Sequence, residues 1–289
     1  KEFNLARVVQ LYHLGEEEQK ILKTLVVDLN SQESISQEQQ RSENWLRARK
    51  YRLTASRFGG AAGHNEYCSK KQLLTEMLWN SFQGNIATEY GVQHEQKAED
   101  LYLALMRKHK GLSDQDFYVT HKGLVVSQEF PWLGVSTDGY VYDASDPRKR
   151  GGLEIKCPFG KLLYPFIPSQ YYDQIQGSAN LLDLPFWDFV VFSPAATQIR
   201  RFSTDAKYWK QVLFPKLESF YMTEFLPRLV WKMQNRLEQN QIDLNARPRR
   251  TPRVQSKEEA TPPHQGTVKR KASGPPETEP AIAVKTLFR

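Results

Sequence analysis

The chain has 289 residues, 39% of them hydrophobic, which suits one large globular domain or two small ones, and no stretch approaches the ~18 to 20 apolar residues that span a bilayer. Cys68 and Cys157 are the only cysteines, excluding a disulfide scaffold, a four-cysteine zinc site and a four-cysteine iron–sulfur cluster from this chain alone, and fitting a reducing compartment. Of the net charge of +7, +5 lies in residues 236–289, where eleven Lys/Arg face six Asp/Glu, so the body must act through placed residues rather than a global field.

In chain order, residues 1–40 read as a helical extension. Ile21, Leu22, Leu25, Val26 and Leu29 fall near helical spacing, and a polar, Gln-rich exit follows from Asn30 to Gln40. No chemistry is assigned to this part, and the start at Lys1 rather than Met leaves room for an upstream segment. The body, 41–235, contains all six tryptophans. Helices are predicted near 41–49, 69–82 and 86–110, the last with Ala98, Leu101, Tyr102 and Leu105 on one stripe. Strands are predicted at 123–127, 132–136, 139–143 and 153–157, in short apolar or alternating runs punctuated by Gly, Pro and Asp. A helix at 171–182, a strand pair at 188–192 and 198–203, and a last helix from Asp205 to about Leu237 complete it. That pattern is α/β or α+β, a central mixed β-sheet flanked by helices. After Ala246, seven prolines between Pro248 and Pro280 and few large apolar residues predict a basic, disordered tail within 236–289. Its Lys269-Arg270-Lys271 run reads equally as a nuclear address, a nucleic-acid tether or a solvated charge run.

The chemistry gathers in GGLEIKCPF. On a strand, Glu154 and Lys156 project from one face while Leu153, Ile155 and Cys157 project from the other. Asp138 sits at a turn in GVSTDGY, where sheet pairing can bring it beside Glu154. Two carboxylates and a backbone carbonyl suit a hard cation such as Mg²⁺, and a nearby ammonium can orient a water. The acid-x-Lys pattern occurs four times, starting at Glu18, Glu95, Glu154 and Asp205, and only at Glu154 does it interrupt an apolar strand. His64 and Cys68, four apart, lack the second pair that a zinc site needs.

A wider set of motifs then lines up. Trp45-x-x-x-Arg49 precedes Leu53-Thr54-Ala55-Ser56, Gly91-x-x-x-Glu95, Ser136-Thr137-Asp138-Gly139, Leu153 to Phe159, and Tyr171-x-x-Gln174-Ile175-Gln176. In this order they resemble the YqaJ and lambda exonuclease family over about 41–230. The resemblance implies a restriction-endonuclease-like core and a metal-dependent DNA nuclease that resects linear duplex from the 5′ terminus, in recombination, repair or replication. Asp138 and Glu154 match the family's metal-binding acids, Ile155 gives its carbonyl to the same ion, and Glu95 is the helical acid that completes the site. Lys156 positions the attacking water and Gln174 supports it. Gln176 points about 200° away from Gln174 on a helix and carries less weight. Arg49, Ser56 and Ser136 match a pocket for the terminal 5′ phosphate. Lys161 stands where exonuclease members carry an arginine, a point charge without a fork, which bears on the 5′-phosphate preference more than on hydrolysis. Arg47, Arg49, Lys50, Arg52 and Arg57 would line a duplex channel or form a solvated basic face.

The implied cofactor is Mg²⁺, with Mn²⁺ as a substitute. The implied partners are duplex ends, further copies of the chain in a trimer, and a single-strand-annealing protein, with no membrane. The compartment is intracellular: nuclear in a eukaryotic or viral setting, otherwise cytoplasmic. An endonuclease on the same core, structure-selective or RNA-directed, and a catalytically silent DNA-end-binding module are the rival readings.

Overall fold

Residues 2–79, 84–160, 163–245 and 283–286 are described in this computed structural model. The single N-terminal helix expected from periodicity is three. Asn4 caps α1 (Leu5–Tyr12), the Leu14-Gly15 turn breaks the run, and α2 (Glu16–Leu25) buries Ile21, Leu22 and Leu25. The polar stretch after it is also helical. In α3 (Leu29–Gln37) the Asp28 carboxylate accepts from the Ser31 amide at 2.7 Å, a cap that satisfies an orphan donor where apolar patterning is weak.

Next come α4 (Glu43–Arg49), β1 (Leu53–Thr54), a 3₁₀ turn (Ala55–Arg57), α5 (Phe58–Ala62) and α6 (Lys70–Trp79). The long helix α7 (Ile86–Lys110) matches its predicted bounds, capped by Asn85 and stopped at Gly111 with φ +65. The strands β2 (Phe117–Thr120), β3 (Val125–Val126), β4 (Leu133–Val135), β5 (Gly139–Asp143) and β6 (Arg150–Lys156) follow. Then come α8 (Ser169–Leu181), β7 (Phe186–Ser193) and β8 (Ala196–Ser203).

The main sheet has the order β2-β5-β6-β7-β8-β9, where β9 is Ala283–Thr286. The pairs β6/β7 and β8/β9 are parallel and the others antiparallel, so the sheet is mixed as expected. A second sheet, β1-β4-β3, lies beside it in the chain path. One face of β6 packs Leu153 and Ile155 against Ala98, Tyr102 and Met106 of α7, while Trp187, Phe189 and Val191 of β7 meet Ile175 and Ala179 of α8.

The C-terminal helical run is longer than predicted. It passes through α9 (Ala206–Tyr208), α10 (Phe214–Ser219) and α11 (Leu226–Asn245), with π-helical turns at Trp209–Leu213 and Phe220–Phe225 between them. Leu213, Leu217, Phe220, Tyr221 and Phe225 share one core with Val8, Leu14, Leu22 and Leu25 of the N-terminal helices. Arg7 reinforces this contact through a 2.7 Å ion pair with the buried Glu218. In the tail expected to be disordered, the Ala-Val-Lys-Thr run of β9 pairs with β8; the proline-rich segment between α11 and β9 lies outside the described residues.

Two glycines let aromatic rings lie directly on β6. A Cβ at Gly152 would sit 2.3 Å from the Trp187 ring, and one at Gly151 would sit 2.1 Å from Phe186. Both rings are buried, so neither can yield without opening the core. Gly152→Ala is therefore expected to destabilise the protein by roughly 1–3 kcal/mol, the usual cost of overpacking, read as a lower denaturation midpoint at unchanged slope.

On the α7 face of the sheet lies a network the sequence did not announce. Arg201 donates to both oxygens of the fully buried Asp188 at 2.8 Å each, and to the fully buried Asp143 at 2.8 Å. Tyr102 adds a 2.6 Å bond to Asp188 and Lys110 a 2.9 Å ion pair to Asp143.

Candidate active site

Antiparallel pairing of Gly139 with Leu153 sets Asp138 opposite Glu154 at the end of the β5/β6 ladder. The Asp138 carboxylate accepts from the Ile155 amide at 2.7 Å, locking the turn to the charged strand. Glu154 is buried, and its carboxylate forms an ion pair with Lys156, whose ammonium lies 5.0 Å above the Tyr171 ring of α8. The predicted alternation holds: Leu153, Ile155 and Cys157 face the α7 side.

Burial first, and the adjoining Glu154 carboxylate second, push the Asp138 carboxyl well above the ordinary range, with Lys156 acting against them. For Lys156 burial pulls the other way, but Glu154 and Asp138 outweigh it and hold the ammonium above the ordinary lysine value. Burial, with Glu95 and Asp138 nearby, raises the Cys157 thiol to about 11, so it stays protonated at neutral pH.

Glu95 projects from α7 and accepts from Arg41 at 3.0 Å. It opens with Asp138 into a cleft of about 650 Å³ whose opposite wall is formed by the end of α3 and residues 38–41. The N-terminal segment, to which the sequence assigned no chemistry, thus lines the cleft beside the predicted acids. Among the described residues no group of three or more His, Cys, Asp or Glu side chains is already assembled to hold a metal. Asp138 and Glu154 come together, and Glu95 stands off, paired to arginine.

On α8, Gln174 is buried one turn beyond Tyr171. Gln176 is used elsewhere: it donates to the Ser203 carbonyl at 3.0 Å and accepts from the Asp205 amide at 2.7 Å. The helical phase that separated the two glutamines in the sequence therefore separates their environments.

Of the residues expected to hold a terminal phosphate, Arg49 and Ser136 meet around Trp45. Its indole donates to Ser136 at 2.9 Å, and Arg49 stacks on its ring at 4.1 Å while donating to Thr54 at 3.0 Å. Ser56 is exposed in the 3₁₀ turn two residues beyond Thr54. Burial, then the like charge of Arg57, disfavour the charge on Arg49, and among the described residues neither guanidinium has a carboxylate at ion-pair distance. Lys161 lies outside the described residues.

The basic opening does not act as one surface. Arg52 is buried and donates to the carbonyls of Leu25, Ala48 and Pro131 at 2.7, 2.5 and 3.0 Å, which removes it from any duplex channel. It ties the last turns of α2 and α4 together, where the helix dipole favours a cation. Arg47 pairs with Glu43 on an exposed helix face. His64, discounted as a zinc ligand, meets the buried Asp173 at 2.8 Å and Lys216 at 2.7 Å.

The sequence reading missed His121. Its Nδ1 lies 2.9 Å from the Asp138 carbonyl and its Nε2 3.2 Å from Glu99. A strand signal at Phe117–Thr120, aromatic and β-branched, would have placed it at the end of β2.

The described residues thus build a mixed α/β domain, its sheets flanked by helices, with an acid–lysine strand end and a second acid facing a cleft. Residues 44–181 match the family model of the YqaJ-like viral recombinase domain. Among solved structures, the chain is similar to the alkaline exonuclease of Laribacter hongkongensis, at 23% identity over 70% of this chain and 100% of that one, with a TM-score of 0.48. The same enzyme in complex with dAMP gives 23%, 70%, 100% and 0.49. A phage-related exonuclease from Haemophilus somnus 129PT gives 16% identity over 63% of this chain and 96% of that one, with a TM-score of 0.40. No curated protein matches. No described helix is long and apolar enough to cross a membrane.

Proposed function

We propose that this chain is a metal-dependent DNA nuclease, a 5′ to 3′ exonuclease acting on linear duplex ends, built on a restriction-endonuclease-like core. The observation that carries the reading is the buried Glu154, ion-paired to Lys156 on one strand face with the Asp138 carboxylate beside it. The match of residues 44–181 to a viral recombinase family model supports it.

Two carboxylates held this close, one with raised proton affinity, make an all-oxygen donor set that fits a hard divalent ion. Asp138 and Glu154, with the Ile155 carbonyl and Glu95, would hold Mg²⁺ or Mn²⁺, which supplies Lewis acidity at the scissile phosphate. Lys156, held as an ammonium, orients the attacking water and offsets negative charge growing on the phosphate. Gln174, one turn along α8 from the ring under Lys156, supports that water. Arg49, with Ser136 across Trp45 and Ser56 in the adjoining turn, takes the terminal 5′ phosphate, where an anion relieves the crowding of two guanidiniums. Lys161, outside the described residues, is the further cation that the resemblance assigns to this phosphate.

The test is digestion in Mg²⁺ of linear duplex with 5′ phosphate, linear duplex with 5′ hydroxyl, and a covalently closed circle. Loss of linear DNA from its 5′ ends, fastest with the phosphate and with the circle intact, is the expected result. Cutting of the circle would replace the exonuclease reading with an endonuclease, and no cutting in Mg²⁺ or Mn²⁺ would leave a DNA-end-binding module.

A further inference from the structure

Asp138 belongs to no strand: β4 ends at Val135 and β5 begins at Gly139. A residue in such a gap has no ladder to fix its backbone, yet its carboxylate must face Glu154. The Thr137 hydroxyl ties the gap to Gly139 and Leu153, and two side chains from outside the sheet add to that constraint. The Gln40 amide donates to the Thr137 carbonyl at 2.8 Å, and the His121 ring meets the Asp138 carbonyl at 2.9 Å. These carbonyls belong to the two peptide planes that flank the Asp138 Cα. Pinning both planes fixes φ and ψ of Asp138, and with them the direction of its Cα–Cβ bond, from which the Ile155 amide holds the carboxylate.

The chemistry of each contact is determinate. A carbonyl only accepts, so His121 carries hydrogen on Nδ1, and the 3.2 Å contact of Nε2 with Glu99 holds a second proton, on the ring as an imidazolium or on the Glu99 carboxyl, whose proton affinity burial raises. The segment bearing His121 is seated in turn on α3. The Gly123 amide donates to the Ser36 carbonyl at 2.6 Å, and a Cβ at Gly123 would fall 2.3 Å from the Glu38 carbonyl. Gln40 precedes residue 44, where the match to the recombinase family begins.

We infer that Gln40 and His121 are positioning residues that clamp the backbone on either side of Asp138, so that the segment preceding the family domain completes its site. The inference rests on the nuclease reading only for what the positioned carboxylate then does.

The test uses the full chain and three variants, Gln40→Ala, His121→Asn and His121→Gln, each checked for a native melting transition. Mn²⁺ binding is titrated calorimetrically without DNA, and digestion of linear duplex is followed separately. An asparagine amide reaches where Nδ1 stood and keeps the bond to the Asp138 carbonyl; a glutamine amide reaches toward Glu99 and loses it. Gln40→Ala and His121→Gln are expected to bind Mn²⁺ about 10- to 100-fold more weakly and to lose kcat at unchanged KM for DNA, while His121→Asn stays near wild type. If Gln40→Ala fails to fold, the two His121 variants decide.

Wild-type Mn²⁺ affinity in His121→Gln, equal impairment of both His121 variants, or absence of Mn²⁺ binding to the wild type would overturn the clamp. A wild type that cuts DNA while the variants bind Mn²⁺ normally removes the clamp and leaves the nuclease reading. A wild type that cuts no DNA, with Mn²⁺ binding that follows the expected pattern, removes the nuclease reading and leaves the clamp.

Discussion

Replacing Lys156 with alanine is expected to slow DNA hydrolysis by at least ~10²-fold, the scale on which one placed charge or donor contributes to a transition state. The reason lies in the pairing on β6. The ammonium touches Glu154 and feels Asp138, the two carboxylates proposed to hold the ion at the scissile phosphate. The same substitution leaves the buried Glu154 without its partner, and thermal melting measured without divalent ions should fall as well. Lys156→Arg separates the effects. It restores a cation and much of the stability but replaces a compact three-donor point charge with a planar fork, so turnover should remain low. Wild-type turnover in Lys156→Ala, with circular dichroism showing a native fold, would remove Lys156 from the chemistry.

The largest expected effect on stability lies on the opposite face of the same sheet, where Asp188 stands beside Leu153 and meets Tyr102 of α7. Arg201→Met should destabilise the chain by about 3–5 kcal/mol, because removing one partner leaves buried charges uncompensated. Asp188 loses both its bidentate bonds and keeps only Tyr102, and Asp143 keeps Lys110 and Ser145. Acid should act on the same network. Burial alone would raise the Asp143 carboxyl, but Ser145, Lys110 and Arg201 outweigh it and hold it down to about 2. A depressed carboxylate contributes stability that is complete above the unfolded value, near 4, and lost as pH falls through the folded one. Denaturation midpoints measured from pH 5 to 2 should therefore fall steeply in the wild type and less steeply in Arg201→Met. Parallel curves would show that Arg201 does not set the acid limit.

Much of this architecture was legible because period and punctuation agree. Helix α7 begins at an Asn cap and ends at a glycine with positive φ, so its bounds could be read directly. The Glu154–Lys156 face and its Asp138 neighbour were legible because strand alternation and a tight turn act over a few residues. What escaped depends on distant contacts. α3 has little apolar periodicity and is held by Asp28 and by its docking on Gly123, neither of which gives a 3.6-residue signal. Arg52 looks like its basic neighbours in sequence; only the three carbonyls around it make it an internal tie. Gln40 ends a polar, Gln-rich stretch and Arg41 follows it, and only the fold brings Thr137 and Glu95 to them. Arg201 lies on an alternating strand, and nothing local shows that two buried aspartates face it.

The parallel pairing of β6 with β7 bears on where the polypeptide can be divided. The family match stops at Leu181, where α8 ends and before β7 begins at Phe186. A fragment cut there would turn β6, the strand of Glu154 and Lys156, from an interior strand into a bare edge. The peptide groups that register Ile155 with Val190 and Lys156 with Val191 would be left open, and the Gly151-Gly152 surface would lose the rings that cover it. Such a sticky, glycine-lined rim invites intermolecular strand addition. The smallest autonomous unit of this fold therefore extends well beyond the segment that the family model matches.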